Sequence, residues 1–329
     1  MSKITAIVIS YNEKGFIRRA IESVVSQITD SIEIEILIAD DGSYDGSVEL
    51  IEQIEVEMSS DNISIDHFVM PRQDNNHKCI PSLRVSNLVK HALSIASGDY
   101  CVILSADDSF CDNTKFSTAM KFLDEHSDYY SYVTGFRYAD NKKESIPDFS
   151  SSFMFWAHMD FFHISCFIFR MTDPRFLLDR FCDDTGMVYS ILKSGKCKAD
   201  NLISFEYFQR VDSIQNSAAK IELLITEAMI VQDILNDKQP GFGFKFATKS
   251  REFAFIKELY SCRNQLKDER YSHLLSNCRK YKNDIVGRIA DYKSFSNRLW
   301  FCFFFIGVAF DHYYISMLWR LIRLFRKKR

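Results

Sequence analysis

Three short apolar runs, each cut off by a polar or acidic loop, constrain this chain more than any other feature. Within the first 110 residues Ile4–Ile9 runs into Ser10-Tyr11-Asn12, and Ile34–Ala39 runs into Asp40-Asp41-Gly42-Ser43. Tyr100–Leu104 then runs into Ser105-Ala106-Asp107-Asp108. Continuous apolar runs of this length are the mark of strands buried on both faces, as in parallel α/β sheets. Such sheets bind ligands at the carboxyl ends of their strands. Carboxylates gathered on that edge repel one another unless a cation or a donor-rich ligand lies among them. The pattern therefore predicts a sheet edge that holds a metal and a phosphorylated nucleoside.

The segments between the runs support that fold. Phe16, Ile17, Ala20, Ile21, Val24 and Val25 recur at helical spacing. Val48, Leu50, Ile51, Ile54 and Val56 follow the second run less regularly. Ile63–Met70 reads as a third strand, and Leu83–Ala96 as a helix that Gly98 stops. The β-α-β-α-β-α-β order implies a mostly parallel, Rossmann-like sheet flanked by helices. Asn113–His126 reads as a further helix, Tyr130–Tyr138 and Cys166–Phe169 as strands, Thr185–Leu192 as a helix and 202–208 as a strand. Residues 139–165 read as a loop, and Ala218 to about Lys293 as mainly helical, broken at Pro240, Gly241 and Gly243.

Composition excludes several classes. The apolar fraction of 47% fills a core, and the net charge of −3 is uneven. From Phe295 onward there are seven Lys or Arg against one Asp, leaving −9 for residues 1–294. An acidic body does not read as a nucleic-acid binder. The nine cysteines never form a Cys-x-x-Cys pair, so they read as free buried thiols of a reducing compartment. The first apolar run is too short for a signal peptide. Leu299–Phe310 is almost wholly apolar, and Arg320, Arg323, Arg326, Lys327, Lys328 and Arg329 follow it, with Trp300 and Trp319. Asp311 and His312 interrupt the stretch, which fits an interfacial helix or re-entrant hairpin on an anionic membrane better than a clean span. A helix packed on the body is the alternative.

Each loop has a chemical reading beside a purely structural one. Tyr11-Asn12-Glu13 stands where a dinucleotide-binding protein places Gly-x-Gly-x-x-Gly, only Gly15 is present, and no Walker loop occurs, which argues against Rossmann redox and P-loop chemistry. Tyr11 can stack on a base and Asn12 can bond a ribose or base edge; taken alone, an ordinary turn with a helix N-cap explains them better. Gly42 permits a tight turn, Asp45 can cap the next helix, and Asp40 can accept from a base or ribose. Asp107-Asp108 suits a divalent cation that takes its other ligands from water and a diphosphate, though such pairs also cap helices.

Taken in order, the three segments resemble the family 2 glycosyltransferases of the GT-A fold, which make bacterial surface polysaccharides such as O-antigen or capsule. The matching stretches are Ile-Val-Ile-Ser-Tyr-Asn-Glu, Ile-Ala-Asp-Asp-Gly-Ser-x-Asp-Gly-Ser at 38–47, and Ala-Ser-Gly-Asp-Tyr-Cys-Val-Ile-Leu-Ser-Ala-Asp-Asp at 96–108. The resemblance covers about residues 1–215 and implies a GT-A domain there, with a helical extension at 216–294 and a membrane-associating tail at 295–329. It implies nucleotide contacts from Ser10, Tyr11, Asn12, Asp40, Asp41, Ser105 and Arg210. The family's Asp-x-Asp metal motif falls on Ser105-Ala106-Asp107, a departure at its first position. Asp107 and Asp108 would then hold Mn2+ or Mg2+. The later Glu-Asp pair of the family corresponds to Asp183-Asp184, with Glu replaced by Asp183 and Asp184 as the base. The processive Gln-x-x-Arg-Trp motif is absent, which points to single-sugar addition. The implied activity is inverting transfer from a nucleotide sugar, a UDP-sugar first, to a glycan or lipid-linked acceptor at the cytoplasmic face of the cell membrane. A nucleotidyltransferase and a non-catalytic nucleotide-sugar-binding assembly subunit are the competing readings. Asp184 far from the acidic loops would favour the latter.

Overall fold

The computed structural model describes residues 2–72, 81–147, 163–172 and 184–209, together with Ile225 and Asn264. The chain divides into two compact units, Met1–Ala218 and Ala219–Arg329. All the elements below belong to the first. The expectations for Asp183, Arg210, the helical extension and the basic tail lie outside the described residues. Among the described residues no helix is long and apolar enough to cross a membrane.

Four parallel strands form the part that carries the acidic loops. They are β1 (Ser2–Ser10), β2 (Ile32–Asp40), β3 (Ile63–Val69) and β4 (Tyr100–Ser105), in the order β3-β2-β1-β4. Ile4, Ala6, Ile7 and Val8 of β1, Ile34, Ile36 and Ile38 of β2, and Val102 and Leu104 of β4 are all buried. Removing an Ile or Leu side chain from water contributes about 1.5–3 kcal/mol. This explains why the unbroken apolar runs pair at the centre. At the rim β3 alternates buried and exposed positions over its first half.

Helices cross between these strands. In α1 (Ile17–Val25) the buried face is Ile17, Ala20, Ile21 and Val24, as the spacing predicts. In α2 (Ser47–Met58) it is Ser47, Ile51 and Ile54, while Val56 points into solvent at 87% exposure. The irregular apolar pattern there thus reflects one outward valine. The third helix, α3, spans Pro81–Ile95.

Beyond β4 the sheet becomes mixed. The order continues β4-β8-β6-β9-β5, with β6 at Tyr129–Tyr138, β8 at Phe167–Arg170, β9 at Lys196–Tyr207 and β5 at Ser109–Phe110. A two-residue strand, β7 (Glu144–Ser145), pairs antiparallel with β6. β8 runs antiparallel to both β4 and β6, whereas β6 and β9 are parallel. Arg170 secures this insertion: its Nε donates to Tyr129 O at 2.9 Å and its Nη1 to Tyr100 Oη at 3.2 Å. Helix α4 (Lys115–Glu125) packs nearby, and its Lys115 is fully buried with Nζ 2.5 Å from Ser165 O. Burial pushes that amine down to about 8. Among the described residues a further helix, α5, spans Asp184–Ser194. Cys101, Cys111, Cys166 and Cys197 are free thiols.

Gly98 has a different role from the helix stop that its position predicts. Helix α3 ends three residues earlier, and the glycines with positive φ are Gly42 and Gly46. A Cβ at Gly98 would lie 2.6 Å from Thr5 N and 2.8 Å from Tyr100 O, both backbone atoms of paired strands. Gly98→Ala is therefore expected to destabilise the protein by roughly 1–3 kcal/mol through overpacking. Urea denaturation followed by circular dichroism checks this. An unchanged midpoint would show that the strands yield without cost.

Candidate active site

The two acidic loops hang from the last residues of β1. Ser10 O accepts the Asp41 N–H at 2.8 Å, and Ile9 O accepts the Ala106 N–H at 2.9 Å. β1 thus stands between the diverging ends of β2 and β4. Ser10 acts here through its carbonyl; its Oγ is enclosed without a hydrogen-bond partner.

The second loop assigns its two acids different surroundings. Asp40 is fully buried, accepting Ser43 N–H at 2.7 Å and Ser43 Oγ–H at 2.6 Å on its two oxygens. Its charge shapes the loop. Asp41, 3% exposed, takes Arg72 on one oxygen and Arg84 on the other. Arg72 Nε also donates to Asp41 O at 2.8 Å, and Arg84 Nη2 to Met70 O at 2.8 Å. The Arg72 guanidinium lies over the Tyr11 ring, 3.6 Å from its centroid. Tyr11 meets the exposed Tyr44 edge-on at 6.3 Å. Burial raises the Tyr11 pKa, with Arg72 opposing the rise.

Asn12 joins the loops. It adopts φ +54°, donates its N–H to Ser43 Oγ at 2.8 Å and accepts Tyr44 N–H on Oδ1 at 3.0 Å. Gly42, at φ +73°, makes the tight turn; a Cβ there would meet Met70 O at 2.9 Å. Asp45 accepts Ser47 N–H at 3.0 Å and so caps the first turn of α2.

In the third loop Ser105 is exposed, Asp107 is half-buried and Asp108 is 3% exposed. Asp108 Oδ1 accepts the Phe208 N–H at 2.8 Å, which ties β9's end to the loop. Burial, reinforced by the Asp107 charge, raises the Asp108 pKa well above the carboxylate range. Asp184 adds to that rise and Arg19 opposes it. Arg19 reaches across from α1, its Nη2 2.5 Å from Asp107 O and its guanidinium 3.7 Å above the Phe208 ring. Its Nε is buried without a partner.

Asp184 opens α5 and faces this loop. Its charge reaches both Asp108 and Tyr207, and the Tyr207 hydroxyl is pushed up to about 12 by burial and by Asp108, Asp107 and Asp184. The separation that would have favoured a non-catalytic subunit is thus not found. Desolvation raises Asp184 itself to about 6. Its side chain is nevertheless 57% exposed. The two observations pull apart, and water at the carboxylate screens the effect of the surrounding protein. His163 Nδ1 lies 3.9 Å from Asp184 Oδ2, and burial pulls the imidazole down to about 4, so it is uncharged at neutral pH.

The donor set can be tested against a divalent cation. Among the described residues no three His, Cys, Asp or Glu side chains converge to cage a metal. Mg2+ is commonly held by one or two carboxylates together with substrate phosphates. The half-buried Asp107 fits that shared mode, while Asp108 is turned inward to Phe208.

Arg19, Arg72, Arg84, His163 and Tyr207 escaped the reading of the sequence. Arg72 follows β3 at the same carboxyl edge as the three acidic loops, so the strand-end rule applied to a fourth strand would have found it. Arg19 and His163 carry no local signal.

Comparison with known proteins agrees with this architecture. The family described as Glycosyl transferase family 2 matches residues 5–190. An uncharacterised glycosyltransferase of Mycoplasma genitalium is 31% identical over 112 residues, 34% of each chain. The alignments span about a third of the length of the first curated relatives. The Escherichia coli UDP-Glc:alpha-D-GlcNAc-diphosphoundecaprenol beta-1,3-glucosyltransferase WfaP is 27% identical over 239 residues, covering 71% of this chain and 87% of WfaP. Among solved structures, S. aureus TarS with UDP-GlcNAc superposes with a TM-score of 0.58 at 14% identity, covering 87% of this chain and 81% of that one. The mannosyltransferase PcManGT of Pyrobaculum calidifontis, with GDP-Man and Mn2+, gives 0.52 at 16% identity, covering 94% and 86%. The mixed sheet with its flanking helices is the GT-A fold of these neighbours, and the chain belongs to glycosyl transferase family 2.

Proposed function

We propose that this glycosyltransferase moves a single sugar from a nucleotide sugar, a UDP-sugar first, to a hydroxyl of a glycan or lipid-linked acceptor, with inversion, in the assembly of a bacterial surface polysaccharide. The observation that carries this reading is that the Asp184 charge reaches Asp108 and Tyr207, beside the loop that carries Asp107. A nucleotide site alone needs no raised carboxylate facing the diphosphate side. The UDP donor named for WfaP and the UDP ligands of TarS support the choice of base.

In this reading the Tyr11 ring, Arg72 and Asp41 form the base side of the site. Asp40 and Asn12 hold the loop, and the exposed Ser105 borders the ribose. A divalent cation at Asp107, Mn2+ or Mg2+, neutralises the leaving diphosphate when bound. Arg19 holds Asp107's backbone in place and offsets part of the acidic field. Asp184 accepts the proton of the attacking hydroxyl, and its raised pKa keeps it basic near neutrality. Attack opposite the diphosphate inverts the anomeric centre. Asp183 is the adjacent alternative base, and Arg210 a further diphosphate contact. The sequence of 295–329 supports delivery to the inner face of an anionic membrane, where lipid-linked acceptors reside.

Asp107→Ala is expected to abolish the Mn2+-dependent part of UDP binding while leaving the fold intact. Calorimetry with and without Mn2+ measures it, and unchanged metal-dependent affinity would remove Asp107 from the metal site. For Asp184→Asn, UDP affinity is expected to persist while sugar transfer falls about 10²–10⁴-fold, the usual cost of a lost general base. Near-normal turnover would move the base elsewhere. Deleting 295–329 should abolish binding to anionic liposomes at low salt and preserve UDP binding, since each Lys or Arg near the surface contributes about 1 kcal/mol. Full-length protein that ignores such liposomes would refute the membrane role.

A further inference from the structure

We propose that His163 is a positioning residue that fixes the carboxylate of Asp184 for proton abstraction; this rests on Asp184 being the base. His163 lies immediately before a short 3-10 turn, Ile164–Cys166, that leads into β8. Its ring is enclosed on three sides. Tyr207 lies 4.2 Å away, Phe136 meets it edge-on at 5.0 Å, and Phe205 lies at 5.6 Å. These residues belong to β6 and β9, so two strands fix the imidazole independently of the loop that carries it. Its Nδ1 lies 3.9 Å from Asp184 Oδ2.

That separation is about 1 Å longer than a hydrogen bond. Catalytic hydrogen bonds are often long before substrate arrives and tighten in the complex. A neutral imidazole carries one N–H, and facing a carboxylate favours the tautomer with that proton on Nδ1. An uncharged donor suits the task. A cationic imidazolium would hold Asp184 ionised but weaken it as a base, whereas a neutral N–H orients one oxygen and leaves the other for the acceptor hydroxyl. The Asp184 charge also acts on Tyr207 of β9 and on Asp108 of the third loop.

Two substitutions separate orientation from packing. His163→Phe keeps a ring between Tyr207, Phe136 and Phe205 but removes the N–H. His163→Asn loses the ring but restores an amide N–H close to the position of Nδ1. If the imidazole only fills space, activity follows stability and the Phe variant is the better enzyme. If it orients Asp184, the order reverses. The assay is hydrolysis by the full chain, with Mn2+, of whichever UDP-, GDP- or dTDP-sugar the wild type turns over fastest, water standing in for the acceptor. Thermal melting and nucleoside diphosphate affinity are measured alongside. We expect His163→Phe to melt close to wild type, keep its KM, and lose roughly 10–100-fold in kcat, the scale of a 1 Å misplacement. His163→Asn should melt lower and yet retain the higher kcat. A Phe variant at least as active as the Asn variant would overturn the proposal. Asp184→Asn in the same assay tells the two failures apart: if it keeps hydrolysis, the base assignment itself falls and this inference with it. If it loses hydrolysis while His163→Phe does not, the positioning role alone is wrong.

Discussion

The site depends on how β1 ends. Its last two carbonyls are shared between two neighbours: Ile9 O binds the loop after β4 and Ser10 O binds the loop after β2. The register Ser10↔Asp40 and Ile9↔Ser105 brings three strands to the same height before they part. A parallel sheet opens a crevice where its neighbours diverge to opposite sides. Here the opening is lined by Tyr11 and the Asp41–Arg72–Arg84 cluster on one flank and by Asp107, Asp108 and Arg19 on the other. A base and a diphosphate have those same two chemistries, an aromatic face and an anion that needs a cation.

Electrostatics gives the two flanks opposite characters. On the β2 flank the buried Asp41 is matched by two guanidiniums, so the two acids Asp40 and Asp41 are balanced by Arg72 and Arg84. On the β4 flank burial, together with the charges of Asp107 and Asp184, raises Asp108's pKa well above the carboxylate range, and Arg19 opposes the rise. A buried like-charge group is costly unless something compensates it. The hydrogen bond from Phe208 N–H meets part of that cost and also anchors β9 to the loop. A cation shared with a diphosphate would relieve the rest, which links the like-charge cost in this loop to the chemistry proposed for it.

The parallel half was legible because its strands are buried on both faces, and such strands announce themselves as unbroken apolar runs. Their predicted ends differ from the observed ones by two residues at most. The antiparallel half was harder. Strand β5 has two residues, too few for a period to register, whereas β8, expected at Cys166–Phe169, lies one residue later at Phe167–Arg170. Strand β9 was expected at 202–208 but begins at Lys196, because its first half, Lys-Cys-Lys-Ala-Asp-Asn, is polar and only partly covered. At the site, Asp107 and Asp184 could be found from motif order. The division of labour between Asp40 and Asp41 could not, since adjacent acids look alike until Ser43 and Arg72 fold onto them. His163 reads as one more polar residue in a loop. Its placement depends on Phe136, Phe205 and Tyr207, which come from distant strands.

The most direct test of the central claim is a crystal structure of the full chain with UDP and Mn2+. The account predicts the uracil at Tyr11 and Arg72, the diphosphate and the metal at Asp107, and Asp184 facing the open side of the β-phosphate where a sugar and acceptor would lie. UDP bound away from the β1 edge, or a diphosphate turned from Asp107 toward another part of the protein, would contradict it.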